Sequence, residues 1–304
     1  MKLLYLSYLR YASVFLTILL CYTVKKNNFG GLFLNILDSL CMSHGLCTLG
    51  VCQYDTLLPQ MSEAQRTGLA RRIDCARSVL VTVLPYPADA ASGNLSLYAR
   101  AKDYHTVLGE RLEAAADTLR TQYPHHTFSV LVDDSPLPEV YAAACAGLGK
   151  IGTHGLLIHP VYGSYVFIGT IVTDLELPAT GDLPAPCLQC GACLRACPVD
   201  LDKSRCLSAL TQQGGALSPE QEALVREHPL IWGCDTCQLV CPLNRSISPA
   251  ETPDFTQNRI CSLQLSDLEG LTRKQFAAKY PDRAFTWRGP APLRRNLTLK
   301  KEET

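Results

Sequence analysis

Residues 187–200 read CLQCGACLRACPVD, and residues 232–244 read WGCDTCQLVCPLN. The first stretch sets Cys187, Cys190, Cys193 and Cys197-Pro198 in the spacing C-x2-C-x2-C-x3-C-P. The second adds Cys234, Cys237 and Cys241-Pro242, and Cys206 lies between the two. In this spacing three thiolates hold one [4Fe-4S] cube and the fourth, before proline, reaches a neighbouring cube. Crossing the halves assigns Cys187, Cys190, Cys193 and Cys241 to one cluster. Cys197, Cys234 and Cys237 share the other, with Cys206 as its fourth ligand. A zinc site needs only four of these residues, and a disulfide framework suits short secreted chains. Eight cysteines that divide into two sets of four, with none left over, favour two clusters and a ferredoxin-like module over residues 184–245.

The rest of the chain is long enough for a large core beside that module. It has 304 residues, 47% of them hydrophobic, and its 28 Lys+Arg balance 28 Asp+Glu. That balance gives no overall attraction to nucleic acid or anionic membrane, so any such contact is local. Iron-ligating thiolates require a reducing compartment, which points to the cytoplasm. Residues 3–24 are strongly apolar, interrupted by Arg10 and followed by Lys25-Lys26. As a membrane span they reach the required length of about 20 residues, but Arg10 costs about 2.5–3.5 kcal/mol at the bilayer centre. No clear small-residue cleavage site follows. We read residues 1–45 as an apolar N-terminal extension. A membrane anchor through residues 3–24, with Lys25-Lys26 keeping the body cytoplasmic, is the alternative.

Between the extension and the cysteines, residues 78–84 (SVLVTVL) form a β-branched run ending at Pro85, as a buried strand does. Residues 45–55 are short and mixed, and residues 63–76 have helical composition. Apolar Val107, Leu108, Leu112, Ala115, Ala116 and Leu119 recur at helical period within residues 104–123. A second strand, 127–132, delivers Asp133 and Asp134 at its end. A small-residue helix at 140–146 and a glycine-rich turn with Gly147, Gly149 and Gly152 follow. Residues 156–158 and 165–173 read as a hairpin around a turn at 160–164, and proline-rich 177–186 reads as the linker into the cysteine module. After residue 245, one helix is expected at 272–280, then a basic end with Arg283, Arg288, Arg294, Arg295, Lys300 and Lys301. Those arginines are either phosphate contacts or a solvated tail. The pattern predicts an α+β (or α/β) sheet domain over residues 46–183, the cluster module, and a closing segment over 246–304.

Several motifs in order resemble the epoxyqueuosine reductases, a family of cobalamin-dependent iron-sulfur enzymes. They are Tyr98-Ala99-Arg100 with Asp103-Tyr104-His105, the stretch 133–139, Ala146-Gly147-Leu148-Gly149, Ile151-Gly152 with His154, and Gly169-Thr170-Ile171. Beside the clusters, Cys206-Leu207-Ser208, Trp232-Gly233-Cys234-Asp235 and residues 237–244 continue the likeness, and Arg288-Gly289 with Arg295-Asn296 close it. It covers roughly residues 75–297. The chain departs from the family at Val140, where many members carry arginine, and it stops where longer members continue into a helical-repeat domain that helps hold tRNA.

The resemblance implies reduction of epoxyqueuosine to queuosine in tRNA, the last step of queuosine synthesis. Cobalamin would lie over the sheet domain, be reduced to the cob(I) state, and receive electrons through the two clusters from an external low-potential donor. It implies Asp133 as proton donor, and Tyr98, Tyr104, His105, Gly147, Gly149, Gly152, His154, Ser208 and Asp235 as cofactor contacts. An acid in that role must hold its proton near neutral pH, which asks for burial or a neighbouring negative charge. An ordinary strand-end carboxylate is the plainer reading of Asp133. Two other functions fit the cysteines: a related cobalamin and iron-sulfur reductase of a small molecule, and a ferredoxin-like electron carrier. Asp133 and the glycine-rich turn argue against the carrier, which needs neither. Cys21, Cys41, Cys47, Cys52, Cys75, Cys145 and Cys261 read as ordinary thiols.

Overall fold

The apolar run at residues 78–85 becomes a strand buried along its whole length, because it lies inside a sheet covered on both faces. The computed structural model describes residues 28–89 and 92–301, with side chains from residue 36 onward. Helix α1 (Asn28–His44) leads into strand β1 (Thr48–Gln53), helix α2 (Glu63–Ala70), strand β2 (Ser78–Pro85), helix α3 (Tyr104–Gln122) and strand β3 (Phe128–Val132). Helix α4 (Glu139–Cys145), the two-residue strands β4 (Lys150–Ile151) and β5 (Leu157–Ile158), and strand β6 (Val166–Thr173) complete this half.

Four strands form one sheet in the order β1-β2-β6-β3, every pair antiparallel. Side chains alternate across it. Leu80 and Leu84 of β2 join Ile171 in a core under α1 and α3. Val79, Val81 and Val83 face the opposite way, into a second core with Ala142, Ala143 and Ala144 of α4. Helix α3 buries Val107, Leu108, Leu112, Ala115, Ala116 and Leu119, the six positions its period marks out. It lies close on the sheet at Gly169, where a β-carbon would come within 2.5 Å of Leu112. The fold is α+β, with helices on both faces of an antiparallel sheet.

The cysteine module contributes helices α5 (Ala192–Ala196), α6 (Leu207–Gln212), α7 (Pro219–Glu227) and α8 (Thr236–Leu239). Helices α9 (Arg273–Lys279) and α10 (Ala291–Lys301) follow. A third core joins Leu95 and Ala99 to Ile231, Trp232, Leu263, Phe276, Phe285 and Leu293, so the chain after the module packs back on both halves.

Several expectations need correction. Residues 45–55 contain β1, an edge strand of the main sheet. The expected hairpin does not form: β5 pairs with β4, and β6 enters the main sheet between β2 and β3. The His159–Gly163 bridge closes the intervening turn. The stretch 177–186 is packed rather than a free linker. Thr180 bonds to the Val51 and Ala146 carbonyls, and Gly181 passes so close to Gly147 that a β-carbon would meet its nitrogen at 2.3 Å. The basic end is not a solvated tail. Residues 291–301 form α10, which buries Leu293, Asn296 and Leu299. Arg295 donates to the carbonyls of Leu210, Gln213 and Gly215, Arg294 to that of Leu271, and Arg283 to those of Arg100 and Asn258. Arg288 stacks over Trp287 at 3.8 Å.

The extension assigned to residues 1–45 is also partly wrong, since α1 places Leu37 and Leu40 in the first core. Residues 3–24 and Cys21 lie outside the described residues. Among the described residues no helix is long and apolar enough to cross a membrane.

Candidate functional site

Asp133 stands at the end of β3 in a left-handed conformation, φ +59°, and two tight turns follow it: Asp134 N–H bonds to the Val132 carbonyl and Ser135 N–H to the Asp133 carbonyl. That backbone turns the carboxyl toward the start of α3. Tyr104 Oη donates to Asp133 Oδ2 at 2.7 Å, and His105 Nε2 lies 3.2 Å from the same oxygen. His105 Nδ1 is 2.7 Å from Oδ1 of Asp103, which also caps α3 by accepting from the His105 backbone. Tyr104 is held in an aromatic column, stacked on Phe167 of β6 on one side and His105 on the other, each at 4.1 Å.

The electrostatics of this cluster differ from the expectation. The Asp133 side chain is 61% exposed. The His105 hydrogen bond, outweighing partial burial, holds its carboxyl below the ordinary range. His105 moves the other way. Burial works against its charge, but the bonds to Asp103 and Asp133 outweigh it and push the imidazole up to about 9. At neutral pH the proton therefore rests on His105 and is shared across the bond to Asp133. The proton on His105 and the nearby Glu139 are not legible in the sequence, where Asp133 looks like an acid that must hold its proton alone. Burial, and then the Asp133 charge, pushes Glu139 up to about 8.

The cysteines gather into two groups. Cys241 is acted on by the charges of Cys193, Cys187 and Cys190, and Cys237 by those of Cys234, Cys206 and Cys197. Burial first, then its three neighbours, pushes the Cys237 thiol up to about 12. Four thiolates crowded together require positive charge among them, as iron supplies. Among the described residues no three His, Cys, Asp or Glu groups converge closely enough for a single ion. A cube binds its four thiolates at separate iron corners, so the donors need not meet at one point.

Backbone pairing sets the first group against the sheet domain. Ile151 N–H bonds to the Ala185 carbonyl, and Cys187 N–H returns to the Ile151 carbonyl at 3.1 Å. Burial raises the Cys187 thiol, but hydrogen bonds from Thr153 and Gln189 outweigh it and lower the thiol from its ordinary value. A buried polar clasp completes the join. Gln238 Nε2 donates to the Ser164 carbonyl, while Asn244 accepts from Ser164 N–H and donates to Ser164 Oγ and the Gln238 carbonyl.

Between the two halves lie two adjoining clefts of about 480 and about 400 Å³ that share Leu183 and Ala185. Gly152 and Cys187 line the first; Gly147 and Gly149 line the second. His154 lies with the first cysteine group, its Nε2 buried without a hydrogen-bond partner. This space at a domain junction, beside the first thiol group and with an orphaned donor nitrogen nearby, fits a large polar cofactor.

Other expected contacts belong elsewhere. Asp235 is buried and bonds to Ser96 Oγ and Leu97 N–H, so it locks the 95–99 segment rather than touching a ligand. Ser208 accepts from Gln212 within α6, at its carbonyl and its hydroxyl oxygen, and is half-buried. Tyr98 packs against Tyr104 and Trp232, with burial raising its hydroxyl. Gly149 and Gly152 also have internal reasons, since β-carbons there would strike the Ile158 carbonyl and the His154 ring. Cys41, Cys47, Cys52, Cys75, Cys145 and Cys261 are free thiols.

An antiparallel sheet domain joined to a double-cluster module, with an acid-base cluster at a strand end, defines an iron-sulfur oxidoreductase. Residues 66–134 match the family model described as epoxyqueuosine reductase QueG, DUF1730, and residues 186–244 match the 4Fe-4S double cluster binding domain. The chain is 31% identical over 242 residues to the epoxyqueuosine reductase of Lactococcus garvieae (strain Lg2), covering 74% of this chain and 68% of that protein. The structure of epoxyqueuosine reductase from Streptococcus thermophilus superposes with a TM-score of 0.73 at 26% identity, covering 88% of this chain and 80% of that one. An epoxyqueuosine reductase crystallised with a tRNA-Tyr epoxyqueuosine-modified stem loop gives 0.74 at 25% identity, covering 90% and 81%. The chain belongs to the epoxyqueuosine reductase family.

Proposed function

We propose that this chain reduces epoxyqueuosine in tRNA to queuosine, using two [4Fe-4S] clusters and cobalamin. The observation that carries the reading is the Asp133–Tyr104–His105 cluster standing in one chain with two groups of four thiols. An electron carrier has no use for the first. A relative of this fold is known with a modified tRNA stem loop, which supports a tRNA substrate.

The reaction takes two electrons and two protons. Both carbon–oxygen bonds of the epoxide break, a carbon–carbon double bond forms, and the oxygen leaves as water. Cobalamin, when bound, supplies electrons at the substrate carbon. The residues suited to hold it are Gly147, Gly149, Gly152 and His154 around the junction clefts. Cys187, Cys190, Cys193 and Cys241 would hold one cluster and Cys197, Cys206, Cys234 and Cys237 the other, and an external low-potential donor would supply their electrons. Thiolate-bound iron calls for a reducing compartment, and we assign the protein to the cytoplasm.

Asp133 delivers the proton. Tyr104 and His105 both bond to its Oδ2, orienting the exposed carboxyl toward a substrate oxygen. As negative charge grows on that oxygen, the proton moves from His105 Nε2 to Asp133 and onward, and His105 is replenished from solvent. A histidine with a pKa of about 9 is charged at neutral pH and keeps this supply filled.

The test is turnover of an epoxyqueuosine-containing tRNA stem loop by anaerobically reconstituted wild type and Asp133→Asn. Conversion by wild type with a large loss in the variant supports the reading. A wild type that binds both cofactors and leaves the stem loop untouched points instead to a small-molecule substrate.

A further inference from the structure

Glu139 opens α4, and the proton path described above makes no use of it. Its carboxyl lies against the Asp133 turn, near the Asp133 backbone and the Ser135 hydroxyl. Ser135 Oγ accepts from Leu137 N–H, which leaves its hydroxyl hydrogen for Glu139. Glu139 Oε1 is fully buried and has no hydrogen-bond partner. An ionised oxygen in that position is costly, because charge is desolvated without a donor to compensate it; a neutral carboxyl avoids most of that cost.

The charged groups that face Glu139 are Asp133 from its own turn and His105 from α3. The other elements packed on α4 are β1, β2, β4, β5, β6 and the short helix Tyr54–Leu57. Their titratable side chains are Cys52, Tyr54, Asp55 and Lys150, and α4 itself adds Tyr141 and Cys145. Asp133 and Asp103 already place two negative charges around His105. A third at Glu139 would repel Asp133 and draw the His105 proton away from it.

We propose that Glu139 is a positioning residue, held as the neutral acid in the working enzyme so that it anchors the Asp133 turn without setting a second carboxylate beside the proton donor. The inference rests on the reading of Asp133 as that donor. Burial and the neighbouring Asp133 charge push Glu139 up to about 8, in keeping with a neutral acid at physiological pH.

Two measurements on the reconstituted full chain test it. Infrared titration of protein carrying carbon-13 glutamate distinguishes glutamic acids from buried Asp235. The expected result is one neutral glutamic acid that survives at pH 7, disappears as the pH passes about 8, and is missing in Glu139→Gln. No neutral glutamic acid at pH 7 in wild type overturns the proposal, and this result needs neither a folded variant nor turnover. In the second, the alkaline limb of kcat/KM with the modified stem loop is expected to move upward by about one pH unit in Glu139→Gln, toward the limit set by His105. An unchanged limb overturns the positioning role. If the stem loop is not a substrate at all, the infrared titration still decides the state of Glu139, so the two failures are separable.

Discussion

The proton delivery proposed for Asp133 works through its neighbours. Its position at a strand end is legible in the sequence, and the proposed role follows from the family resemblance of the motifs around it. The sign of its pKa shift is not legible, because it depends on His105, which lies 28 residues earlier and reaches Asp133 only once α3 and β3 pack together. Two outcomes belong at this scale. Asp133→Asn keeps the side chain's shape and removes the acid, so kcat is expected to fall by about 10²–10⁴-fold with the cluster spectrum unchanged. His105 has a folded pKa above its ordinary value of 6.5, so the stability it adds is fully present below about 6.5 and is lost as the pH rises through about 9. Thermal unfolding across that range is expected to show His105→Gln less stable than wild type at the acid end, with the gap closing toward the alkaline end. A gap that stays constant would show that the His105 charge adds nothing.

The elements divide by how local their signals are. Strand β2 and helix α3 carry strong periodicity and emerge where expected, down to the buried positions of α3. Strand β1 escapes notice because TLGVCQ is short and contains a glycine that lets it pass beneath the Ala146 carbonyl, a contact no local pattern encodes. The β4–β5 pairing is hidden for a similar reason: two-residue strands have no period. Helix α10 looks like a tail because its charges dominate, while Arg295 and Asn296 are spent on carbonyls of α6 and of Ile231, and Arg294 on that of Leu271. The clasp at Ser164 is likewise a property of packed elements. Asn244→Ala leaves Ser164 N–H without its partner and removes one of the two donors to the Gln238 carbonyl, and is expected to lower stability by about 1–3 kcal/mol in chemical unfolding. The same variant is expected to lose iron faster than wild type under a chelator. Gly169→Ala forces a methyl against Leu112 and Leu108 and is expected to cost about 1–3 kcal/mol.

For the whole molecule, the cysteine pattern carried the most information and needed the least context. Its spacing assigns two groups of four thiols, and the folded chain gathers the same eight residues into the same two neighbourhoods. Cys206→Ala is accordingly expected to remove about half the iron while the first cluster keeps its signal in paramagnetic resonance. The junction clefts were only indirectly legible, since they arise where the 177–186 strap, β4 and the first thiol group meet. The claim that joins both halves is that electrons from the thiol-bound clusters and a proton from Asp133 meet at an epoxide. The most direct measurement is mass analysis of nucleosides from an epoxyqueuosine-containing tRNA stem loop after incubation with the reconstituted chain, cobalamin and a low-potential reductant. The expected result is a product that has lost one oxygen atom as queuosine forms. An unchanged modified nucleoside, with both clusters and cobalamin demonstrably bound, would contradict it.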